Sequence, residues 1–296
     1  MDTFVKKNEM DKKTVFITGA TGGIGKAAAM ALADQDFTVV IHGRDLQKTR
    51  QVCDELKKAT GNHKIHFLVA DLFSLSDVRK VADEFIQKYK RLDVLINNAG
   101  GIMSKERETT ADGNEKTIAV NLLAPFLLTT LLLDLLKASP DGRIINVSSN
   151  SHQLNAKPNF DDLQLANNYD PLKAYGNAKL FLIWITQYLA DQLKRQGVNN
   201  VAVNTMHPGA VATNFGVDSN LGSILNFIGK LARPLFRTAE QGADTIVYLA
   251  SSNEVKNSSG LYFVNRKPAK VAVKYYTSAH EKAVWDYCEE QTNSFR

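Results

Sequence analysis

Thr14-Val15-Phe16-Ile17-Thr18 runs without a break into Gly19-Ala20-Thr21-Gly22-Gly23-Ile24-Gly25, and that into Lys26-Ala27-Ala28-Ala29-Met30-Ala31-Leu32. A β-branched apolar run, a glycine cluster and a stretch of strong helix formers predict a buried strand, a tight turn and a helix. Glycines let the backbone turn sharply and approach a ligand closely. The helix start adds free N–H groups and a partial positive charge, so the three pieces together form a phosphate cradle. The spacing is G-x-x-x-G-x-G through Gly19, Gly23 and Gly25, not the commoner G-x-G-x-x-G. A second strand is predicted over residues 37–42. That context favours a bound dinucleotide over a bare structural turn.

The second strand ends in His42-Gly43-Arg44-Asp45. At this distance from the glycines an acid would bond the ribose 2′-hydroxyl of NAD, and an arginine would accept the 2′-phosphate of NADP. Arg44 fits the NADP reader. Asp45 precedes Leu46-Gln47-Lys48 and reads as a helix cap, with NAD through Asp45 the weaker alternative. The alternation then continues as βαβ units, which stack into a parallel sheet. Residues 65–70 are a strand ending at Asp71, and 75–89 a helix with Ser76 as its cap. Residues 92–96 are a strand that delivers Asn97-Asn98-Ala99-Gly100-Gly101 to the carboxyl edge. Asp71 could equally cap a helix, and Asn97-Asn98 could simply satisfy backbone groups. Residues 112–136 read as a long helix interrupted by Asn121 and Pro125. Residues 143–149 are a strand ending in Ser148-Ser149, and 198–206 a strand ending in His207-Pro208-Gly209.

Between those strands lies a helix over 173–194, opening with Tyr175-Gly176-Asn177-Ala178-Lys179. Four apart, Tyr175 and Lys179 share one helix face. A phenol titrates near ~10, and a fixed ammonium beside it favours the phenolate and lowers that value. The pair is therefore a candidate acid/base, although Y-x-x-x-K alone also suits an ordinary surface helix.

Taken together, Thr18-Gly19-Ala20-Thr21-Gly22-Gly23-Ile24-Gly25, Asp71-Leu72, Asn97-Asn98-Ala99-Gly100, Asn121, Ser148-Ser149, Tyr175-x-x-x-Lys179 and His207-Pro208-Gly209 resemble the short-chain dehydrogenase/reductase superfamily. The resemblance spans Thr14 to about Phe263. It implies a single Rossmann-type α/β domain: a doubly wound parallel sheet of about seven strands with helices on both faces. It further implies Tyr175 as general acid or base, with Lys179 lowering its pKa and holding the nicotinamide ribose. Ser149, rather than Ser148, would bond the substrate oxygen, and Asn121 would hold a water in a proton relay. Gly19, Thr21, Gly23, Ile24, Gly25, Arg44, Asp71, Leu72, Asn98, Ala99 and Gly100 would line the adenosine and diphosphate side of the cofactor. Pro208, Gly209, Val211 and Thr213 would meet its nicotinamide end. Val147-Ser148-Ser149-Asn150-Ser151-His152, the extended segment with Phe160-Asp161-Asp162-Leu163, and the tail Ala283-Val284-Trp285 make the chain most similar to the retinol dehydrogenase-like branch. It departs from that branch in having no apolar anchor at its start and in Gly176-Asn177-Ala178 within the motif.

The expected activity is NADP-dependent interconversion of a hydrophobic alcohol and its aldehyde or ketone. The rival is a non-catalytic nucleotide sensor or scaffold on the same fold. The formal charge is +5, but the basic residues are scattered, so no nucleic-acid partner is expected. Cys53 and Cys288 form no C-x-x-C, and residues 1–13 carry no apolar signal core. A reducing, cytoplasmic setting follows. The apolar run 118–136 contains Asn121, Pro125, Thr129, Thr130 and Asp134, which points to a buried helix and not a transmembrane segment. His152 and His207 lack ligand-spaced partners, so no metal is expected. One domain over 1–296 is expected, with a flexible start (1–12), an apolar substrate lid (210–237) and a C-terminal extension (265–296). That extension would cover the pocket or a neighbouring subunit. The helices 112–136 and 173–194 carry surplus apolar surface, and pairing them across a two-fold would give a homodimer or homotetramer.

Overall fold

The structure is a computed structural model that describes residues 12–103, 105–211 and 237–296. Its strands are β1 (Thr14–Ile17), β2 (Thr38–Gly43), β3 (Ile65–Val69), β4 (Val94–Asn97), β5 (Gly142–Val147), β6 (Val201–His207), β7 (Tyr262–Val264) and β8 (Lys267–Pro268). They form one sheet in the order β3-β2-β1-β4-β5-β6-β7-β8. Seven strands are parallel, as the βαβ alternation requires. The eighth exceeds the expected count: β8 folds back antiparallel on β7. Asn265 and Arg266, both left-handed (φ 52° and 62°), make the two-residue turn that allows this.

Helices α1 (Gly23–Ala33), α2 (Leu46–Thr60), α3 (Leu75–Lys88), α4 (Lys116–Lys137), α5 (Ser151–Leu154), α6 (Pro171–Arg195), α7 (Ala239–Ser251) and α8 (Ser278–Thr292) cover the sheet. The period-2 alternation of β1 assigns its sides. Val15 and Ile17 enter a core with α1, α2 and α7, and Phe16 enters a second core with α3, α4, α6 and α8.

The helix ends follow local chemistry. Asp45 caps α2, its Oδ1 accepting from the Lys48 N–H at 2.7 Å, and Gly61 closes the same helix in a left-handed turn. Helix α3 is capped by Ser74, not Ser76: Ser74 Oγ accepts from the Asp77 N–H, while Ser76 only pairs its hydroxyl with Ser74. Helix α4 starts at Lys116 and not at residue 112, because the Asp112 carboxylate accepts from the Leu75 N–H instead. Glu115 caps it, accepting from Thr117 and Ile118. Asn121 does not break the helix but sits in a π-helical turn, Ala119–Leu123. Pro125 opens the following α-helical segment, where its missing N–H does least harm. Helix α4 is long and apolar enough to cross a membrane by composition, yet 72% of that window is buried against its neighbours.

The strand order reverses between β1 and β4. In sheets of this kind the ligand crevice opens at that switch point, outside the carboxyl ends of the strands. The turns after β1, β2, β3, β4, β5 and β6 all lie along this edge.

Candidate active site

The glycine turn leaves β1 through Gly19, at φ +64°, a conformation that favours glycine. A Cβ there would also meet Ala99 Cα at 2.9 Å, so the β1 and β4 turns touch. Helix α1 begins with no side-chain cap, and a Cβ on Gly22 would point into open space. Uncapped N–H groups facing an opening are what a diphosphate needs, so the cradle fits a dinucleotide. Arg44 stands exposed at the end of β2. Gly43 packs so tightly against the Thr21 and Thr49 side chains that a Cβ would lie 2.3 Å from each.

The β4 turn is tied to this cradle. Asn98 Nδ2 donates to the carbonyls of Thr18 (2.9 Å) and Gly19 (3.1 Å), and Thr18 Oγ1 accepts from the Asn98 and Ala99 N–H groups. Asn97 is buried and donates to Thr129 and Asn146. Of the two readings left open for these asparagines, backbone satisfaction describes the Asn98 side chain.

The chemistry-bearing cluster lies at the end of β5. Ser148 turns inward and donates to the Lys179 carbonyl at 2.9 Å. Ser149 is half-buried and hydrogen-bonded to the Tyr175 phenol. Lys179 Nζ donates to the Val147 carbonyl at 2.8 Å and lies 5.6 Å from the Tyr175 ring centre. Across from it, Asn121 donates to the Gly101 and Thr117 carbonyls, both at 2.8 Å, and its Oδ1 accepts from the Gly101 N–H. A Cβ on Gly100 would lie 2.4 Å from Asn121 Oδ1 and 3.2 Å from Lys179 Nζ, so these groups converge on one point. The π-helical turn serves this contact, since the Asn121 amide occupies the Thr117 carbonyl that a regular ladder would give to the Asn121 N–H.

The sequence matches the short chain dehydrogenase family over residues 13–223. The chain belongs to the short-chain dehydrogenase family. It is similar to human retinol dehydrogenase 14 (36% identical, covering 95% of this chain and 86% of that protein) and to human polyprenol dehydrogenase (35%, 95% and 85%). Together they place it in the retinol dehydrogenase-like branch. Among solved structures, a short-chain dehydrogenase from Escherichia coli CFT073 complexed with NADPH superimposes with a TM-score of 0.64, at 25% identity, covering 85% of this chain and 95% of that one.

Electrostatics of this short-chain dehydrogenase site depart from the simple motif reading. Burial pushes the Tyr175 phenol well above its usual range, and the hydrogen bond from Ser149 opposes that only in part. Burial also pulls the Lys179 amine down to about 7. The expected lowering of Tyr175 by Lys179 is thus outweighed, because removing both groups from water disfavours their charged forms. At the other end, Pro208 and Gly209 follow β6, Val211 bridges to Arg237, and Val211 and Ile24 both close on Gly242 of α7. Asp71 Oδ1 accepts from the Phe73 N–H, and Leu72 is buried. Thr213 and most of the expected lid lie outside the described residues. Three residues passed over in the sequence matter here: Thr18 and His42, which brace the glycine turn, and Gly242. His42 carried a signal, a polar residue inside an otherwise apolar strand.

Proposed function

We propose that the chain is an NADP-dependent oxidoreductase that interconverts a hydrophobic alcohol and its aldehyde or ketone, with Tyr175 as general acid/base. One observation carries this reading: Ser149, Tyr175 and Lys179 meet at the carboxyl end of β5, beside the crossing of Asn121 with Gly100-Gly101. In carbonyl reduction Tyr175 Oη donates its proton as the substrate oxygen gains charge, and Ser149 Oγ holds that oxygen in place. A phenol held in its protonated form suits this task, since the alkoxide it must meet is far more basic. Lys179 keeps one N–H on the Val147 carbonyl and has others to offer a ribose hydroxyl, while Asn121 fixes the Gly101 backbone opposite. When bound, the nicotinamide supplies or accepts the hydride.

Arg44, exposed at the end of β2, supports NADP over NAD, and the capping bond of Asp45 to Lys48 supports it further by occupying the acid that would read NAD. Two relatives are named for retinol and polyprenol, both apolar alcohols, which supports a lipophilic substrate. A cytoplasmic setting belongs to the same proposal. A panel of lipophilic aldehydes, ketones and alcohols assayed by nicotinamide absorbance is expected to show turnover with NADP(H) exceeding that with NAD(H). Arg44→Asp is expected to reverse that order. No turnover with any member, or a cofactor preference that Arg44→Asp leaves unchanged, would count against the activity and the cofactor reading respectively.

A further inference from the structure

His42 is 3% exposed and sits at the end of β2, behind the glycine turn. Its ring is fully engaged. Nδ1 accepts the Gly19 N–H at 3.3 Å, so the ring proton is on Nε2, which donates to the Ala70 carbonyl at 3.1 Å. Its own carbonyl accepts the Ala20 N–H at 2.9 Å. One residue therefore grips two consecutive amides of the turn and, through the ring, the end of β3 just before Asp71. Two residues further along stands Arg44. Alanine or valine here would suit β2 as a strand, but would leave the Gly19 N–H without this acceptor inside the protein.

We propose that His42 is a positioning residue for the dinucleotide: its neutral imidazole holds the glycine turn in register with the ends of β2 and β3, and so sets the cradle before the cofactor arrives. Burial keeps the ring uncharged by lowering its pKa to about 4, which preserves the acceptor on Nδ1. The inference rests on the cofactor reading above. It goes beyond it by assigning binding strength to a side chain that need not touch the ligand.

The two ring contacts separate by substitution. Asparagine can place an oxygen near the Nδ1 position and keep the Gly19 bond, whereas leucine fills the space and keeps neither bond. NADPH affinity, measured by calorimetry on the full chain, is expected to weaken about tenfold or more in His42→Leu and by less than about threefold in His42→Asn. In a steady-state assay the KM for NADPH should rise in His42→Leu while kcat at saturating cofactor stays near wild type. Wild-type affinity in a folded His42→Leu, or an equal loss of kcat, would overturn the proposal. A wild-type chain that binds no nicotinamide dinucleotide would instead overturn the cofactor reading, and this proposal with it. Should His42→Leu fail to fold, 15N shifts of the imidazole decide. The Nε2–H tautomer at neutral pH in the free chain, kept on adding NADPH, supports the proposal. A Nδ1–H or doubly protonated ring in the free chain, or an Nε2–H tautomer that forms only on adding NADPH, overturns it.

Discussion

Lys179 illustrates the conflict between stability and chemistry at a single residue. Its amine is buried, with its pKa down to about 7 against 10.5 in an exposed chain. Between those values the unfolded chain holds a proton that the folded one releases, so the amine opposes folding at neutral pH and ceases to do so as pH rises towards 10.5. Its bond to the Val147 carbonyl offsets part of that, on the order of 1 kcal/mol. Lys179→Met is therefore expected to be more stable than wild type by about 1–2 kcal/mol at pH 8, measured by denaturant unfolding, with the gain shrinking as pH rises from about 7 to 10.5. Turnover should fall by about 10²-fold or more in the same protein. A less stable Lys179→Met at pH 8 would show that the amine is not desolvated as described.

At the scale of elements, α6 carries the site, and its fit against the segment after α5 explains an oddity in the motif. A Cβ on Gly176 would lie 2.6 Å from the Ala156 nitrogen and 2.7 Å from the Asn155 carbonyl carbon, both backbone atoms that cannot swing aside. Gly176→Ala is thus expected to displace the first turns of α6, with a stability loss of about 1–3 kcal/mol and a lower kcat, because Tyr175 precedes it. An unchanged melting temperature and kcat would contradict that packing. Strands β1 to β6 were legible because each is a short run rich in β-branched and apolar residues, and the observed ends differ from the expected ones by a few residues. What could not be read were choices between near-equal neighbours. Ser74 and Ser76 both offer a hydroxyl near the start of α3, and only the position of Asp77 favours the first. Between Ser148 and Ser149 only the family resemblance chose the second; in the structure Ser148 is held by α6 and Ser149 reaches Tyr175. The π-helical turn at Asn121 and the hairpin to β8 depend on tertiary partners that no periodicity encodes.

At the scale of the whole molecule, part of the apolar surface of α4 and α6 is covered by the tail. Trp285 of α8 packs edge-on against Phe126 of α4 (4.9 Å between ring centres) and at a tilt against Tyr188 of α6 (4.8 Å), and Arg296 lies over the Phe126 ring. Short-chain dehydrogenases are usually oligomeric, and these helices were the expected pairing face; the tail lies over Phe126 and Tyr188 of that face. The sequence left open whether the tail would cover the pocket or a neighbouring subunit, and it packs instead on two helices of its own chain. Removing residues 277–296 is predicted to expose that face and raise the molecular mass seen by light scattering above that of the full chain. If truncation leaves both mass and solubility unchanged, the tail is not what shields it. The same global arrangement puts the cradle, the β4 turn and the Tyr175 helix on one sheet edge, and the account as a whole is tested most directly there. Turnover of Tyr175→Phe should fall by about 10²-fold or more in the presence of NADPH and a lipophilic carbonyl, with NADPH affinity unchanged, since only the phenolic proton is removed. Turnover equal to wild type would contradict the claim that this tyrosine moves the proton.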